Sequence, residues 1–240
     1  MYINSINQFT NYFMDYAQIA TDTDQEFIMG SSIILTSLIN ASLLEKGACL
    51  IALSGGSTPR EVYTELGKST EIDWQNVWLC LVDERYVPAG DKDSNAQMIR
   101  ETLLKSANIP EDHLIFPDTS LPIDECIDQY NKAFENIKPD IVTLGLGPDG
   151  HIASIFPPVT EAAMDRGTQI IHTETDIFDV HDRISMTLPA IARIESTVFM
   201  LKGEDKLKVW EEMQRSTDNS KRWPAKAILQ SSGVTVVTSK

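Results

Sequence analysis

Three short apolar runs, residues 48–53, 77–82 and 141–144, each break off into a polar loop, and this repetition constrains the fold more than any other feature. Each run is continuous rather than alternating, as in Ala48-Cys49-Leu50-Ile51-Ala52-Leu53, so both faces of the strand must be covered. Such strands belong to parallel sheets held between helices, and helical patterns separate them here. A helix is predicted from about residue 25 to residue 46, with Ile34, Leu38 and Ala41 at helical spacing and Gly47 as its stop. Pro59 suits the first position of the next helix, whose buried face carries Val62, Tyr63 and Leu66. Ser94 is the expected N-cap of a helix bearing Met98, Ile99, Leu103 and Leu104. A further helix runs from about residue 123 to residue 137, where Lys138-Pro139 ends it.

The two ends of the chain are less regular. Residues 6–20 read as a short strand followed by a helix, and residues 169–173 as a strand. Residues 183–188 alternate polar and apolar, the pattern of a half-exposed strand. A strand at 196–201 precedes a helix opened by Gly203 and carrying Leu207, Val209, Trp210 and Met213. A short helix over 224–229 and a strand over 234–237 close the chain. With 240 residues, no repeat and no low-complexity linker, the expectation is one domain spanning 1–240. Its fold class is α/β, an open, mainly parallel sheet with helices on both faces.

A formal charge of −15 argues against nucleic acid and anionic membranes as partners, since both demand a positive field. It leaves room for a phosphorylated small molecule, because a few local cations and backbone N–H groups suffice to bind one. Cys49, Cys80 and Cys126 lack Cys-x-x-Cys spacing and sit in apolar or helical patterns, as reduced packing residues of a cytoplasmic protein do. Asp15 and the lack of a basic stretch leading into a long apolar run predict no signal peptide, and no run approaches the ~20 apolar residues of a membrane span.

In an open α/β sheet the loops after parallel strands share the carboxyl edge, where ligands bind. The three loops here should therefore line one crevice. In residues 145–157 three glycines, Gly145, Gly147 and Gly150, surround Asp149 and precede His151, which presents an imidazole at a strand end. A histidine so placed can act as a general base near neutral pH, with Asp149 either holding it or shaping the turn. Ser54, Gly55, Gly56, Ser57 and Thr58 put small residues and free N–H groups before a helix, an anion cradle or simply a tight capped turn. Arg85 follows Asp83 and Glu84; it forms either a surface salt bridge or an anion-binding fork oriented by Asp83. Arg183 opens a strand as a solvated residue or a ligand cation. Lys206 stands in the first turn of a helix, where the macrodipole disfavours a cation unless an anion, or Glu204 and Asp205, offset it. His113, His172 and His181 have no comparable setting, and without His-x-His, His-Glu-x-x-His or a Cys/His cluster no metal site is predicted.

Taken together, Leu53-Ser54-Gly55-Gly56-Ser57-Thr58-Pro59, Asp83-Glu84-Arg85 with Val87-Pro88 and Ser94-Asn95, and the Gly145 to Pro157 loop resemble the glucosamine-6-phosphate isomerase/6-phosphogluconolactonase family on its lactonase side. Arg183 before Thr187-Leu188-Pro189, Gly203-x-x-Lys206 and Pro224-Ala225 fit the same pattern, so the matches run in order from about residue 50 to residue 230. The resemblance implies the sugar-phosphate isomerase/deaminase-like fold, a modified Rossmann arrangement, and hydrolysis of a 6-phosphogluconolactone without a cofactor. It also implies His151 as general base, with Arg85, Arg183 and Lys206 as substrate-binding cations. The related deaminases carry a glutamate in support of their histidine and Asp-Glu-Tyr in the second loop; this chain has Ser154, Ile155 and Phe156 after its histidine, and Arg85. Both differences argue against deamination of glucosamine 6-phosphate. A non-catalytic sugar-phosphate sensor would need an appended DNA-binding segment and a basic face, neither of which is evident.

Overall fold

The computed structural model describes residues 16–240. In chain order the elements are β1 (Ala17–Thr21), α1 (Asp24–Lys46), β2 (Cys49–Leu53), α2 (Ser57–Leu66), β3 (Val77–Leu81), β4 (Asp83–Arg85) and α3 (Asn95–Glu101). There follow β5 (Leu114–Ile115), α4 (Ile123–Ala133), β6 (Ile141–Leu144), β7 (Ile170–Glu174) and β8 (Asp182–Met186). The last are α5 (Leu188–Ala192), β9 (Ser196–Lys202), α6 (Glu204–Arg215), α7 (Ala225–Ile228) and β10 (Val234–Ser239).

Seven strands form one sheet in the order β1-β10-β9-β6-β2-β3-β5, and every neighbouring pair in it is parallel. The continuous apolar runs explain why. Cys49, Ile51 and Leu53 of β2 face a core formed with α1, α2 and α3 through Phe27, Leu35, Tyr63 and Ile99. Leu50 and Ala52 point the other way, into a second core with Tyr130 of α4, Ile191 of α5, Trp210 of α6 and Ile228 of α7. Period-two alternation divides one strand between two hydrophobic layers, so both of its faces must be apolar. A small antiparallel sheet, β4-β8-β7, stands beside the carboxyl edge of the large one.

Several elements depart from the sequence reading. Most of residues 6–20 lies outside the described residues, and 17–20, read as helical, form edge strand β1 paired with β10. The buried stripe of α1 is Phe27, Ser31, Leu35, Ile39 and Ser42; Ile34 and Leu38 are only half-buried and Ala41 is exposed. By length and hydropathy α1 passes for a bilayer span, yet its buried residues pack into the core of the sheet. Helix α2 begins at Ser57, so Pro59 is its third residue rather than its first, and Gly56, not a side chain, caps it. Helix α4 stops at Ala133, short of residue 137, and Leu103 and Leu104 fall in a 3-10 turn after α3. β8 is not half-exposed: residues 183–186 are buried. The hydroxyl of Ser185 donates to the Met186 carbonyl (3.0 Å) and accepts from the Ser154 N–H (3.3 Å), so its polar positions are satisfied inside the protein.

Candidate active site

The loops after β2 and β6 are tied together below the surface. Thr143 of β6 accepts the Ser54 N–H at 3.0 Å, and the Tyr63 hydroxyl lies 2.6 Å from Thr143 Oγ1 while donating to the Ser54 carbonyl at 3.0 Å. Burial pushes the Tyr63 phenol up to about 12, so it stays neutral and holds this junction as a donor. Above it the chain turns through Gly56 at φ 101, a conformation glycine tolerates, and α2 starts with no side-chain cap. Its first N–H groups thus remain available to an anion. Gly55 is required for space: a Cβ there would lie 1.7 Å from Asn95 Oδ1. Asn95 in turn donates to the Asp83 carbonyl at 2.8 Å, which packs the first loop against the second.

The second loop is built around a buried carboxylate. Glu84 accepts the N–H groups of Arg85 (2.7 Å), Asn95 (2.6 Å) and Ala96 (2.8 Å) together with the Ser94 hydroxyl (3.1 Å). Burial raises its pKa and those four donors oppose the rise. Ser94 caps α3 as expected, accepting from Gln97 N. The expectation that Asp83 orients Arg85 is not met: Asp83 Oδ2 accepts the Ser154 hydroxyl at 2.7 Å instead. Nor is Arg85 a surface ion pair. Its Nη1 donates to the Asp93 carbonyl at 2.6 Å, and its buried Nε has no hydrogen-bond partner among the described residues.

Arg183 is not solvated; it is 6% exposed and donates Nε to the Val180 carbonyl at 2.9 Å. It stands opposite Arg85 in the β4–β8 register. Burial and the neighbouring Arg85 lower its pKa, opposed by Asp83, Glu84 and Asp93. Lys206, in the first turn of α6, reaches across to the first turn of α2 and donates to Thr58 Oγ1 at 2.5 Å. Burial lowers its pKa. Among the described residues all three cations donate to uncharged oxygens rather than to carboxylates. They meet in one cleft of about 210 Å³, which Ser54, Gly55, Gly56, Ser57 and Asp83 also line.

His151 lines the same cleft. The turn carrying it closes through Gly147 N–H to His151 O (2.9 Å) and Gly150 N–H to Gly147 O (3.0 Å). The imidazole lies directly over Gly147, where a Cβ would come within 2.1 Å of the ring. Nδ1 is 2.5 Å from Asp149 Oδ1, which also accepts the His151 N–H at 3.2 Å. Burial pushes the Asp149 carboxyl up, but the His151 hydrogen bond and charge outweigh it and hold the pKa below its ordinary value. A carboxylate can only accept, so Nδ1 is the donor in this contact, and in the neutral ring the lone pair then lies on Nε2. Phe156 and Phe178 pack on the imidazole, with ring centroids 4.9 and 5.2 Å away. Beyond His151, Ala153 adopts a left-handed φ of 48, a strained conformation for a residue with a Cβ, and from there Ser154 bonds to Asp83.

The structure therefore gathers Ser54, Gly55, Gly56, Ser57, Asp83, Arg85, Arg183, Lys206 and His151 around one cleft, with Thr58 behind Lys206 and Asp149 behind His151. Sequence reasoning missed Asn95, Tyr63 and Phe178 as parts of this site. Asn95 follows an evident N-cap, but nothing local indicates that its side chain fills the space above Gly55. His172, Glu174 and Asp182 bring donor atoms within 4.8 Å of one another on the β7–β8 hairpin, away from the His/Cys spacings that sequence motifs use. There His172 Nε2 is already bonded to Asp182 Oδ1 at 2.8 Å.

A parallel α/β sheet with a cationic, glycine-lined cleft at its carboxyl edge and a carboxylate-held histidine defines a sugar-phosphate-binding protein of the isomerase and lactonase type. Residues 22–237 match the family described as glucosamine-6-phosphate isomerases/6-phosphogluconolactonase, and the chain belongs to it. A protein of Dictyostelium discoideum named probable 6-phosphogluconolactonase is 40% identical over 209 residues, covering 84% of this chain and 89% of that one. The 6-phosphogluconolactonase of Neisseria meningitidis is 36% identical over 207 residues, covering 82% and 86%. Among solved structures, the 6-phosphogluconolactonase of Plasmodium vivax superposes with a TM-score of 0.85 at 29% identity, covering 96% of this chain and 92% of that one. A putative 6-phosphogluconolactonase of Neisseria gonorrhoeae gives 0.82 at 31% identity, with 94% and 100% covered.

Proposed function

We propose that this chain hydrolyses 6-phospho-D-glucono-1,5-lactone to 6-phospho-D-gluconate, the second step of the oxidative pentose phosphate pathway, with His151 as the general base. The observation that carries the assignment of the base is the His151–Asp149 contact: with Nδ1 committed to Asp149, Nε2 is a basic lone pair beside the cleft. In the proposed reaction Nε2 takes a proton from water as the water oxygen attacks the lactone carbonyl carbon. The carbonyl oxygen becomes a tetrahedral oxyanion, stabilised by backbone N–H groups or a neighbouring cation. When the intermediate collapses, the bond from that carbon to the ring oxygen breaks, and the imidazolium returns its proton to the departing oxygen. The acid product then ionises. Water is the only co-reactant, so the step requires no cofactor.

Lys206 and the free N–H groups of α2 suit the phosphate, a multiply charged anion that an acidic protein binds only where local donors converge. Arg85 and Arg183 supply the remaining positive charge. Three free, buried cysteines fit a cytoplasmic, reducing setting, and the residues favour a small sugar-phosphate lactone as partner rather than nucleic acid or membrane. The whole chain acts as one lactonase domain. Deamination is disfavoured because the side chain packed on His151 in that segment is the apolar Phe156 and not a carboxylate.

The decisive assay generates the lactone with glucose-6-phosphate dehydrogenase and follows acid release with and without this protein. Release no faster than the spontaneous reaction would overturn the assignment, and ammonia released from glucosamine 6-phosphate would replace it with deamination.

A further inference from the structure

The turn that carries His151 is held from two sides. On the cleft side the imidazole covers Gly147. On the far side Arg222 Nη1 donates to the Asp149 carbonyl at 2.9 Å. The guanidinium lies over Trp223, with Cζ 3.8 Å from the ring centroid, and Trp223 is itself only 1% exposed. The same indole ring abuts Gly150, where a Cβ would come within 2.6 Å of Trp223 Cζ3. A cation–π contact on a buried indole restrains the guanidinium, and a restrained guanidinium restrains the carbonyl it binds. That carbonyl belongs to the residue whose carboxylate holds His151.

Arg222 does not line the substrate cleft. It borders a separate, open depression on the outer side of the loop, of about 660 Å³, together with Asp149, Pro157 and Asn219. A contact on the carbonyl of Asp149 cannot bind substrate, but it sets the backbone from which both members of the pair project.

We infer that Arg222 is a positioning residue for the His151–Asp149 pair, acting through the main chain of Asp149 from the side of the loop opposite the substrate. The inference rests on the reading of His151 as the base. Loss of the guanidinium leaves the Asp149 carbonyl without its charged donor and lets the turn relax away from Trp223. Small displacements at a reacting centre are costly, a 1 Å shift reaching about 10²-fold in rate. The binding cations Arg85, Arg183 and Lys206 are untouched by the change, so the loss falls on turnover and not on binding.

The test is Arg222→Met, which keeps the aliphatic stem on Trp223 and removes the donors and the charge. Expected is a fall in kcat of roughly tenfold or more with KM unchanged. Because the outer depression is open to solvent, guanidinium ion added at millimolar concentration should restore part of the lost rate. Wild-type kcat would overturn the inference, as would a loss that guanidinium does not restore in a variant whose Tm has fallen. Should the Met substitution fail to fold, Arg222→Lys reads the same split: an intermediate kcat at unchanged KM supports positioning, and a wild-type kcat or a raised KM opposes it. The assay of His151→Asn separates the two readings. Full turnover there removes the base on which the inference rests, whereas an inactive His151→Asn beside a fully active Arg222→Met removes only the role of Arg222.

Discussion

Arg85 and Arg183 are direct cross-strand partners in the β4–β8 ladder, two guanidinium-bearing side chains at one register position. Like charges directly opposite on a sheet are destabilising. Asp83, Glu84 and Asp93 act electrostatically to offset this at Arg183, but Asp83 and Glu84 accept their hydrogen bonds from serine hydroxyls and backbone N–H groups instead of from the guanidinium groups. The buried Nε of Arg85, without a hydrogen-bond partner among the described residues, belongs to the same cluster. An arrangement of this kind is relieved by a bound anion.

The ligand-free protein should therefore gain stability from the product. At a concentration 100 times its Kd, 6-phosphogluconate adds about 2.7 kcal/mol to the folded state. For a domain of this size each kcal/mol raises Tm by about 2–4 °C. Thermal melts with and without 6-phosphogluconate measure this, and Arg85→Ala should lose most of the shift. An equal shift in the variant would remove Arg85 from the binding site.

Lys206→Ala should raise KM for the phosphorylated lactone far more than for gluconolactone without phosphate. The cation bridges toward the N-terminus of α2 through Thr58, where the proposed binding mode puts the phosphate oxygens, so in that reading its loss removes affinity for the phosphate alone. Steady-state kinetics on both lactones give the comparison. A proportional loss on both would place Lys206 at the lactone end instead.

Gly147→Ala should reduce kcat by about 10²-fold while leaving the fold intact. A Cβ at that position would lie 2.1 Å from His151 Nδ1 and Cε1, so the imidazole must swing off Asp149. The change is local because Gly147 has no left-handed φ to strain. Turnover measured beside a far-ultraviolet dichroism spectrum tests it; retained kcat would show that the ring has another place to go.

The sheet and the convergence of its loops were legible because strands covered on both faces must be continuously apolar, and β2, β3 and β6 are. Helix α1 was misphased because Ser31, Ser32, Thr36 and Ser42 pack inside, and small hydroxyl residues look like an exposed stripe in a hydrophobicity pattern. β8 was misread for a related reason: the Ser185 hydroxyl is bonded to the segment after His151, a contact across 31 positions that no local pattern records. The glycines and the histidine of the site were visible as residue types. That Gly55 makes room for Asn95, and Gly147 for His151, is a matter of tertiary contact and appears only in three dimensions.

Glu84→Gln should destabilise the protein by about 1–3 kcal/mol without touching substrate, because buried donors lose their acceptor. Both carboxylate oxygens accept, three times from backbone N–H groups and once from Ser94, and an amide would turn an NH₂ toward donors. Burial raises the folded pKa of Glu84, so its ionised form is disfavoured by folding and its contribution weakens as pH rises through the carboxylate range. Denaturant unfolding of the two proteins at neutral pH gives the difference; a change below 1 kcal/mol would mean that the loop repacks around the amide.

His151→Asn should lower turnover by about 10²–10⁴-fold after correction for spontaneous hydrolysis, with KM little changed, since general-base assistance acts in the transition state. Asp149→Asn should cost less, because the amide oxygen can still accept from Nδ1 while the negative charge that favours the imidazolium is lost. The Asp149 carboxyl is held below its usual range in the folded protein. Its contribution to stability is thus complete above the unfolded value and lost only as pH falls through the lower folded one. Acid unfolding of Asp149→Asn should accordingly be less steep than that of the parent in the region below the ordinary carboxylate range. Turnover and acid unfolding together separate the two roles of this side chain. A variant with normal kcat but altered acid stability would make Asp149 a brace for the turn, and one with lowered kcat and lowered acid sensitivity makes it the partner of the base.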